Sequence, residues 1–313
     1  MTKACLMFPG QGSQSVGMGK DLYTQYPEAA KIFDSIDDEL KSIIFDGPDD
    51  VLRKTKWTQP AIFTVSAAAF EVFKSNVDIS KYEFVGAGHS LGEYSALYAA
   101  GFFNFQDGLE IVKARGTLLQ YGAEAVKGAM AAILGLEKAK IATVCQEASV
   151  DGICEPVNFN CPGQIVIAGT IDAVNKAIEL AKTAGALKCV MLNVSGAFHS
   201  SLMTSVAEEM ATVLEKYSFQ KPNFGIYTNC DAALTADILE IKNKLVKQIN
   251  NPVKWDTSIE HIISSGVDTF IEIGPGRVLS GLLRKIDRNK KVFNIDNVDS
   301  LNKTLAALLE LNG

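Results

Sequence analysis

Glu83-Phe84-Val85-Gly86-Ala87-Gly88-His89-Ser90-Leu91-Gly92-Glu93 contains a short apolar run, a glycine turn and the first residue of a helix. The run 83–87, closed by Gly88, reads as a buried parallel strand. Gly88-His89-Ser90-Leu91-Gly92 is then a G-x-S-x-G pentapeptide between a strand and a helix near Glu93. Glycines on both sides of the serine permit a sharp turn that presents Ser90 Oγ, and the next amide, Leu91 N–H, lies where a helix N-terminus stabilises an oxyanion. A tight turn with an idle serine is the alternative. Gly86 and Gly88 also mimic a dinucleotide loop, but the third glycine is wrongly spaced.

Outward from that turn the texture is α/β. Ala4–Phe8 is a second apolar run, closed by Pro9-Gly10, and Gln59–Lys74 carries apolar residues at 62, 65, 69, 70 and 73 with helical spacing. Strands separated by helices predict a layered fold with a mostly parallel sheet. From about residue 128 a separate order appears: strand Ala129–Leu134, helix Glu137–Ala148, strand Ile153–Asn160, turn Pro162-Gly163, strand Gln164–Ala168, helix Ile171–Ala184, strand Leu187–Met191. That is βαββαβ, the ferredoxin-like order. The α/β texture then resumes, with helices predicted near 201–216, 238–249, 255–265 and 278–286 and strands near 225–228 and 269–273. The expected organisation is therefore a large α/β catalytic subdomain, 1–125 with 194–313, interrupted by a small ferredoxin-like subdomain at 126–193. A length of 313 residues fits that arrangement better than two tandem domains.

Composition sets limits. With 36 acidic and 30 basic residues the chain carries −6 overall, so it offers no general attraction to nucleic acid or anionic membrane, and an anionic ligand needs a local basic site. Six scattered cysteines without a C-x-x-C pair signal neither zinc nor a redox dithiol. The absence of an apolar leader and of any run of about 18 apolar residues predicts a soluble, cytoplasmic protein.

Ser90 needs a base, because a serine hydroxyl is almost wholly neutral at pH 7. Only His89, His199 and His261 are available. His89 adjoins Ser90 on a turn that directs the two side chains apart, and His261, beside Glu260, reads as a solvated helix residue. His199, in Gly196-Ala197-Phe198-His199-Ser200 at a loop-to-helix junction, is the candidate, since a nearby helix N-terminus favours a neutral imidazole. Arg115 lies four residues after Ile111 and four before Leu119, on an apolar helical stripe. A buried guanidinium requires an anionic partner, either an internal carboxylate or a ligand's. Phe8-Pro9-Gly10-Gln11-Gly12-Ser13-Gln14 lacks the lysine of a phosphate loop; it reads either as an ordinary strand-to-helix turn or as a loop whose amides, Gln11 in particular, supply a second oxyanion donor.

Together F-P-G-Q-G-S-Q at 8–14, G-H-S-L-G-E at 88–93, K-A-R-G at 113–116, N-x-P-G-Q at 160–164, A-F-H-S at 197–200, K-Q-I-N-N-P-V-K-W at 247–255 and I-G-P-G-R-V-L at 273–279 resemble the malonyl-CoA:acyl carrier protein transacylase family, across essentially the whole chain. The resemblance implies a hydrolase-like α/β core with a ferredoxin-like insertion. It also implies Ser90 as nucleophile, His199 as base oriented by the main-chain carbonyl of Gln248, and the Gln11 and Leu91 amides as oxyanion hole. Arg115 would clamp the malonyl carboxylate, with Gln248, Phe198 and Asn160 as further substrate-binding positions. Malonyl-CoA and acyl carrier protein are the implied partners, in fatty acid synthesis, with no metal or other cofactor and a monomeric enzyme. Leu91 and Phe198 resemble the malonyl-type rather than the methylmalonyl-type versions.

Arg284, Lys285, Arg288, Lys290 and Lys291 face a single acidic residue, Asp287, a local net of +4. This reads either as a solvated helix end or, by the resemblance, as a docking patch for an acidic carrier centred on Arg284 and Lys285. Two other assignments share these motifs: a free-standing acyltransferase of a polyketide synthase, and a serine hydrolase, which would place an Asp or Glu between serine and histidine.

Overall fold

The structure is a computed structural model that describes residues 1–194 and 196–312. Strand β1 (Thr2–Phe8) divides its buried residues between two faces: Ala4, Leu6 and Phe8 enter one core, Cys5 and Met7 another. A strand covered on both sides must be apolar throughout, which is why the run shows no alternation. Strand β2 (Tyr82–Gly88) pairs with β1 in parallel, from Thr2 opposite Tyr82 to Phe8 opposite Gly88. The two turns that follow these strands therefore emerge side by side.

Between the strands runs the helix Thr55–Asn76, longer at both ends than the predicted Gln59–Lys74. Residues 58–70 of this helix are all buried, as befits a helix enclosed by its neighbours, and it packs on the helix Phe105–Ala125 that carries Arg115.

Strands β3 (Gly128–Leu134), β4 (Cys154–Cys161), β5 (Gln164–Thr170) and β6 (Lys188–Met191) form a separate antiparallel sheet in the order β4-β5-β3-β6. That is the split βαββαβ arrangement anticipated from the order of elements. Ala131, Ile133, Ile165 and Ile167 pack under the sheet's own helices, Lys138–Ala148 and Ile171–Thr183. Met130, Val166 and Ala168 on the other face join the large core instead, which lays this sheet against the first.

The large sheet is completed by β7 (Ile226–Tyr227), β8 (Leu234–Thr235), β9 (Thr269–Ile273) and β10 (Lys291–Ile295), giving β10-β9-β1-β2-β7-β8 with only the β7–β8 pair antiparallel. Among the elements beyond the sequence expectation are β8 and the two that close the chain. Lys291, read as part of a charged run, opens edge strand β10, and the helix Val298–Asn312 follows it. Among the described residues no helix is long and apolar enough to cross a membrane.

Candidate active site

The turn after β2 is fixed by close approach. A Cβ on Gly92 would collide with the carbonyl oxygen of Phe8 at the end of β1, and one on Gly10 with the carbonyl oxygen of His89. The loop after β1 thus sits directly on the turn bearing Ser90. Ser90 and His199 are two of only three non-glycine residues with positive φ among those described, at 53° and 64°. Such conformations persist where surrounding contacts over-determine them, and functional residues are where they collect.

Those contacts are visible. Asn229, just after β7, accepts from Ser90 N–H at 2.7 Å through Oδ1 and donates through Nδ2 to the Gly88 carbonyl at 2.7 Å. Ser90 Oγ lies 2.8 Å from His199 Nε2, and His199 Nδ1 lies 2.7 Å from the main-chain oxygen of Gln248. A carbonyl can only accept, so Nδ1 carries the proton and Nε2 presents its lone pair to the serine. Burial, and secondarily the Arg115 charge, hold the imidazole far below the ordinary histidine range, to about 3. The neutral form thus comes mainly from desolvation, not from the helix N-terminus invoked on sequence grounds; a 3-10 turn, Ser201–Met203, precedes the helix Thr204–Glu215.

Arg115 is 1% exposed and makes no ion pair among the described residues. Its Nη1 donates to Gln59 Oε1 at 2.6 Å, and its Nη2 to Gln248 Oε1 at 3.0 Å and to Ser90 Oγ at 3.1 Å. The guanidinium stacks over Tyr94, 5.2 Å from the ring centroid. Three of five N–H donors go to neutral oxygens, and Nε, buried, has no partner. Of the two partners the sequence allows, the internal carboxylate is thus absent at contact distance.

Gln11 N–H and Leu91 N–H donate to no acceptor among the described residues, although their neighbours do: His89 N–H to Phe8, Gly92 N–H to His89 and Glu93 N–H to Ser90. Gln11, Ser90, Phe198 and His199 line a cavity of about 120 Å³, closed on the far side by Met130, Asn158 and Val166 of the small sheet. Asn160, read as a substrate contact, bonds His89 Nε2 at 2.8 Å through its Oδ1, and Asn158, with Oδ1 buried and unpartnered, lines the cavity. A wider cleft, about 640 Å³, opens near the amino ends of β1 and β2 between Leu6, Tyr82 and Phe84 and contains none of these groups. In parallel sheets ligands bind at the carboxyl ends, where Ser90 lies.

His261 is exposed on the helix Trp255–Ser264, its Nδ1 2.9 Å from the Ala232 carbonyl oxygen. Arg284, Lys285 and Arg288 are exposed, with Lys285 Nζ donating to Gln164 Oε1 on the small sheet, whereas Lys290 and Lys291 pair with Asp268. Among the described residues there is no cluster of three or more His, Cys, Asp or Glu able to hold a metal ion.

The model of the acyl transferase domain matches residues 5–303. The malonyl CoA-acyl carrier protein transacylase of Bacillus subtilis (strain 168) is 42% identical over 317 aligned positions, covering 100% of this chain and 99% of that protein. The chain belongs to the malonyl CoA-acyl carrier protein transacylase family. The acyl-carrier-protein-S-malonyltransferase of Bartonella henselae superposes with a TM-score of 0.94 at 39% identity, over 98% of this chain and 99% of that one. A malonyl-transacylase solved in complex with a type II polyketide acyl carrier protein superposes at 0.93 with 38% identity, over 98% and 100%.

Within this candidate site three residues escaped the sequence reading: Asn229, Gln59 and Glu93. Glu93 is wholly buried, and its Oε2 accepts from Asn229 N–H at 3.0 Å and from Gln248 Nε2 at 2.8 Å. Burial raises its carboxyl to about 7, against the lowering effect of those hydrogen bonds and of Arg115. The visible signal was a charged residue in the first turn of a helix whose other residues are small or apolar.

Proposed function

We propose that the protein transfers a malonyl group from malonyl-CoA to the phosphopantetheine thiol of an acyl carrier protein through a malonyl ester on Ser90. Ser90 Oγ attacks the thioester carbonyl carbon while its proton passes to His199 Nε2. The resulting oxyanion accepts from the Gln11 and Leu91 amides. Collapse breaks the C–S bond, and His199 returns the proton to the departing CoA sulfur. The carrier thiol then gives its proton to His199 and attacks the ester; Ser90 leaves and takes the proton back. The serine, the imidazole and the amides account for each transfer.

The observation that carries this reading is Arg115, a buried guanidinium in contact with Ser90 Oγ and surrounded by neutral oxygens. A malonyl carboxylate supplies the missing anion; an acetyl group leaves it missing. Phe198 on the cavity wall limits the room for a substituent at the α carbon. Arg284 and Lys285 present an exposed cationic face for an acidic carrier.

Intact-mass analysis after mixing with malonyl-CoA is expected to show a malonyl adduct that disappears when carrier protein is added. Ser90→Ala should form none. An adduct on Ser90→Ala would move the nucleophile elsewhere, and release of free malonate as the main product would make the protein a hydrolase. Methylmalonyl-CoA in the same measurement should label slowly; equal labelling removes the role of Phe198. The structure of the polyketide carrier complex favours a second acceptor class, and rates with fatty acid and polyketide carriers side by side separate the two.

A further inference from the structure

We infer that Glu93 is the positioning residue that sets the orientation of the Gln248 side-chain amide and, through it, the placement of Arg115. The inference rests on the reading of Arg115 as the malonyl clamp.

Gln248 Nε2 lies within 2.8 Å of Glu93 Oε2, 2.9 Å of the Ser90 carbonyl and 3.2 Å of Asn229 Oδ1, three acceptors converging on one NH2 group. The oxygen of a planar amide is then forced to the opposite side, where it accepts from Arg115 Nη2 at 3.0 Å. Flipping the amide would set its oxygen against three acceptors, including a carboxylate, and its NH2 against the guanidinium. Both ends of the flipped arrangement are electrostatically wrong.

Of the three acceptors, Glu93 is the one that makes no direct bond to Ser90. The Ser90 carbonyl is backbone, and Asn229 Oδ1 is already held by Ser90 N–H. Glu93 also receives the Asn229 amide, so the same carboxylate steadies the clamp on Ser90 N–H and Gly88. It stands one amide away from Arg115: close enough to fix its acceptor, yet without occupying the guanidinium's donors. A carboxylate bonded directly to Arg115 would compete with a malonyl group; one acting through Gln248 leaves Nε and an Nη1 proton available.

The test is the ratio of kcat/KM for malonyl-CoA over acetyl-CoA in purified full-length variants. Glu93→Ala removes the acceptor, and the ratio should fall at least tenfold through a raised KM for malonyl-CoA. Glu93→Gln keeps an acceptor oxygen and should hold the ratio within about threefold. On an Arg115→Ala background, Glu93→Ala should leave the ratio where Arg115→Ala put it. If Glu93→Ala does not fold, Glu93→Met, which fills the volume without an acceptor, replaces it. Equal losses for both substrates, an unchanged ratio, or a Glu93→Gln loss as large as that of Glu93→Ala would overturn the assignment. An Arg115→Ala variant that retains malonyl preference would overturn the clamp itself, which keeps the two failures distinct.

Discussion

Arg115 and Arg284 are the same side chain in opposite surroundings. Arg115 lies on the helix Phe105–Ala125, enclosed by Gln59, Gln248, Tyr94 and Ser90 with no carboxylate in contact; Arg284 lies near the end of the helix Val278–Ile286 with its guanidinium in water. In the first place the cost of desolvation has already been met by the fold, and a ligand carboxylate gains charge-assisted bonds against a low-dielectric background. In the second, each charge is screened beyond roughly 8–10 Å and contributes mainly to encounter. On the proposed function, burial makes Arg115 a selector, and exposure leaves Arg284 a guide.

Truncating the buried member is the strongest way to break that contrast. Charge-assisted hydrogen bonds are worth about 1.5–3 kcal/mol each, so Arg115→Ala should lower kcat/KM for malonyl-CoA by roughly 10² or more while changing acetyl transfer far less. Arg115→Lys should recover only part of the loss, because an ammonium offers no planar fork. A uniform loss with both acyl groups would mean that the guanidinium merely supports Ser90 Oγ.

Burial also governs His199, the proposed base, and pH exposes it. With the folded His199 near 3 and an unfolded imidazole near 6.5, the base is already free at pH 5, so the rate of Ser90 acylation should show no imidazole limb between pH 5 and 7. The sign for stability is the reverse of a salt-bridged histidine. Between 6.5 and 3 the unfolded chain binds a proton that the folded chain refuses, so acidification destabilises the fold through that window. His199→Asn should therefore gain in Tm relative to wild type as pH falls from 7 to 4, and a constant difference would contradict the neutral, desolvated base. Glu93, raised to about 7, works the opposite way: above its unfolded value near 4.5 it loses stability as pH rises toward 7. Because it is present in both proteins, it cancels in their comparison to the extent that the two sites act independently.

These two regions were not equally legible in the sequence. The turn around Ser90 was readable because glycine spacing records a steric demand, and Arg115 because a charge on an apolar stripe is conspicuous within one helix. The βαββαβ sheet was readable because its elements follow one another without interruption. Asn229 and Gln59 were not, since a polar residue in a loop or on an enclosed helix has no local pattern that names a partner 139 or 56 positions away. The bond between Asn160 and His89 was hidden for the same reason: strand alternation gives a face, but that contact depends on how two sheets meet. Strand β10 was hidden by Lys290 and Lys291, whose charges resemble a solvated run until Asp268 is seen opposite them.

That last pairing sharpens the exposed half of the contrast. Two of the five cations in 284–291 are already engaged with Asp268, leaving Arg284, Lys285 and Arg288 as exposed cations without a carboxylate partner among the described residues. Lys285 is also tied to Gln164 at the turn between β4 and β5, so this face sits at the junction of the two sheets. Reversing Arg284 and Lys285 to Glu should raise the KM for carrier protein by about three- to tenfold, since each rim charge is worth about 0.2–1 kcal/mol and reversal replaces attraction by repulsion. Transfer of malonyl from CoA to Ser90, measured in a single turnover without carrier, should be unchanged. In wild type the carrier KM should rise with salt, and in the reversed variant it should respond weakly or fall. Reversing Lys290 and Lys291, which share Asp268 as a partner, should do less to the carrier KM. An equal effect from both pairs would mean that the carrier senses the summed field of the segment and not the cations that lack a carboxylate partner.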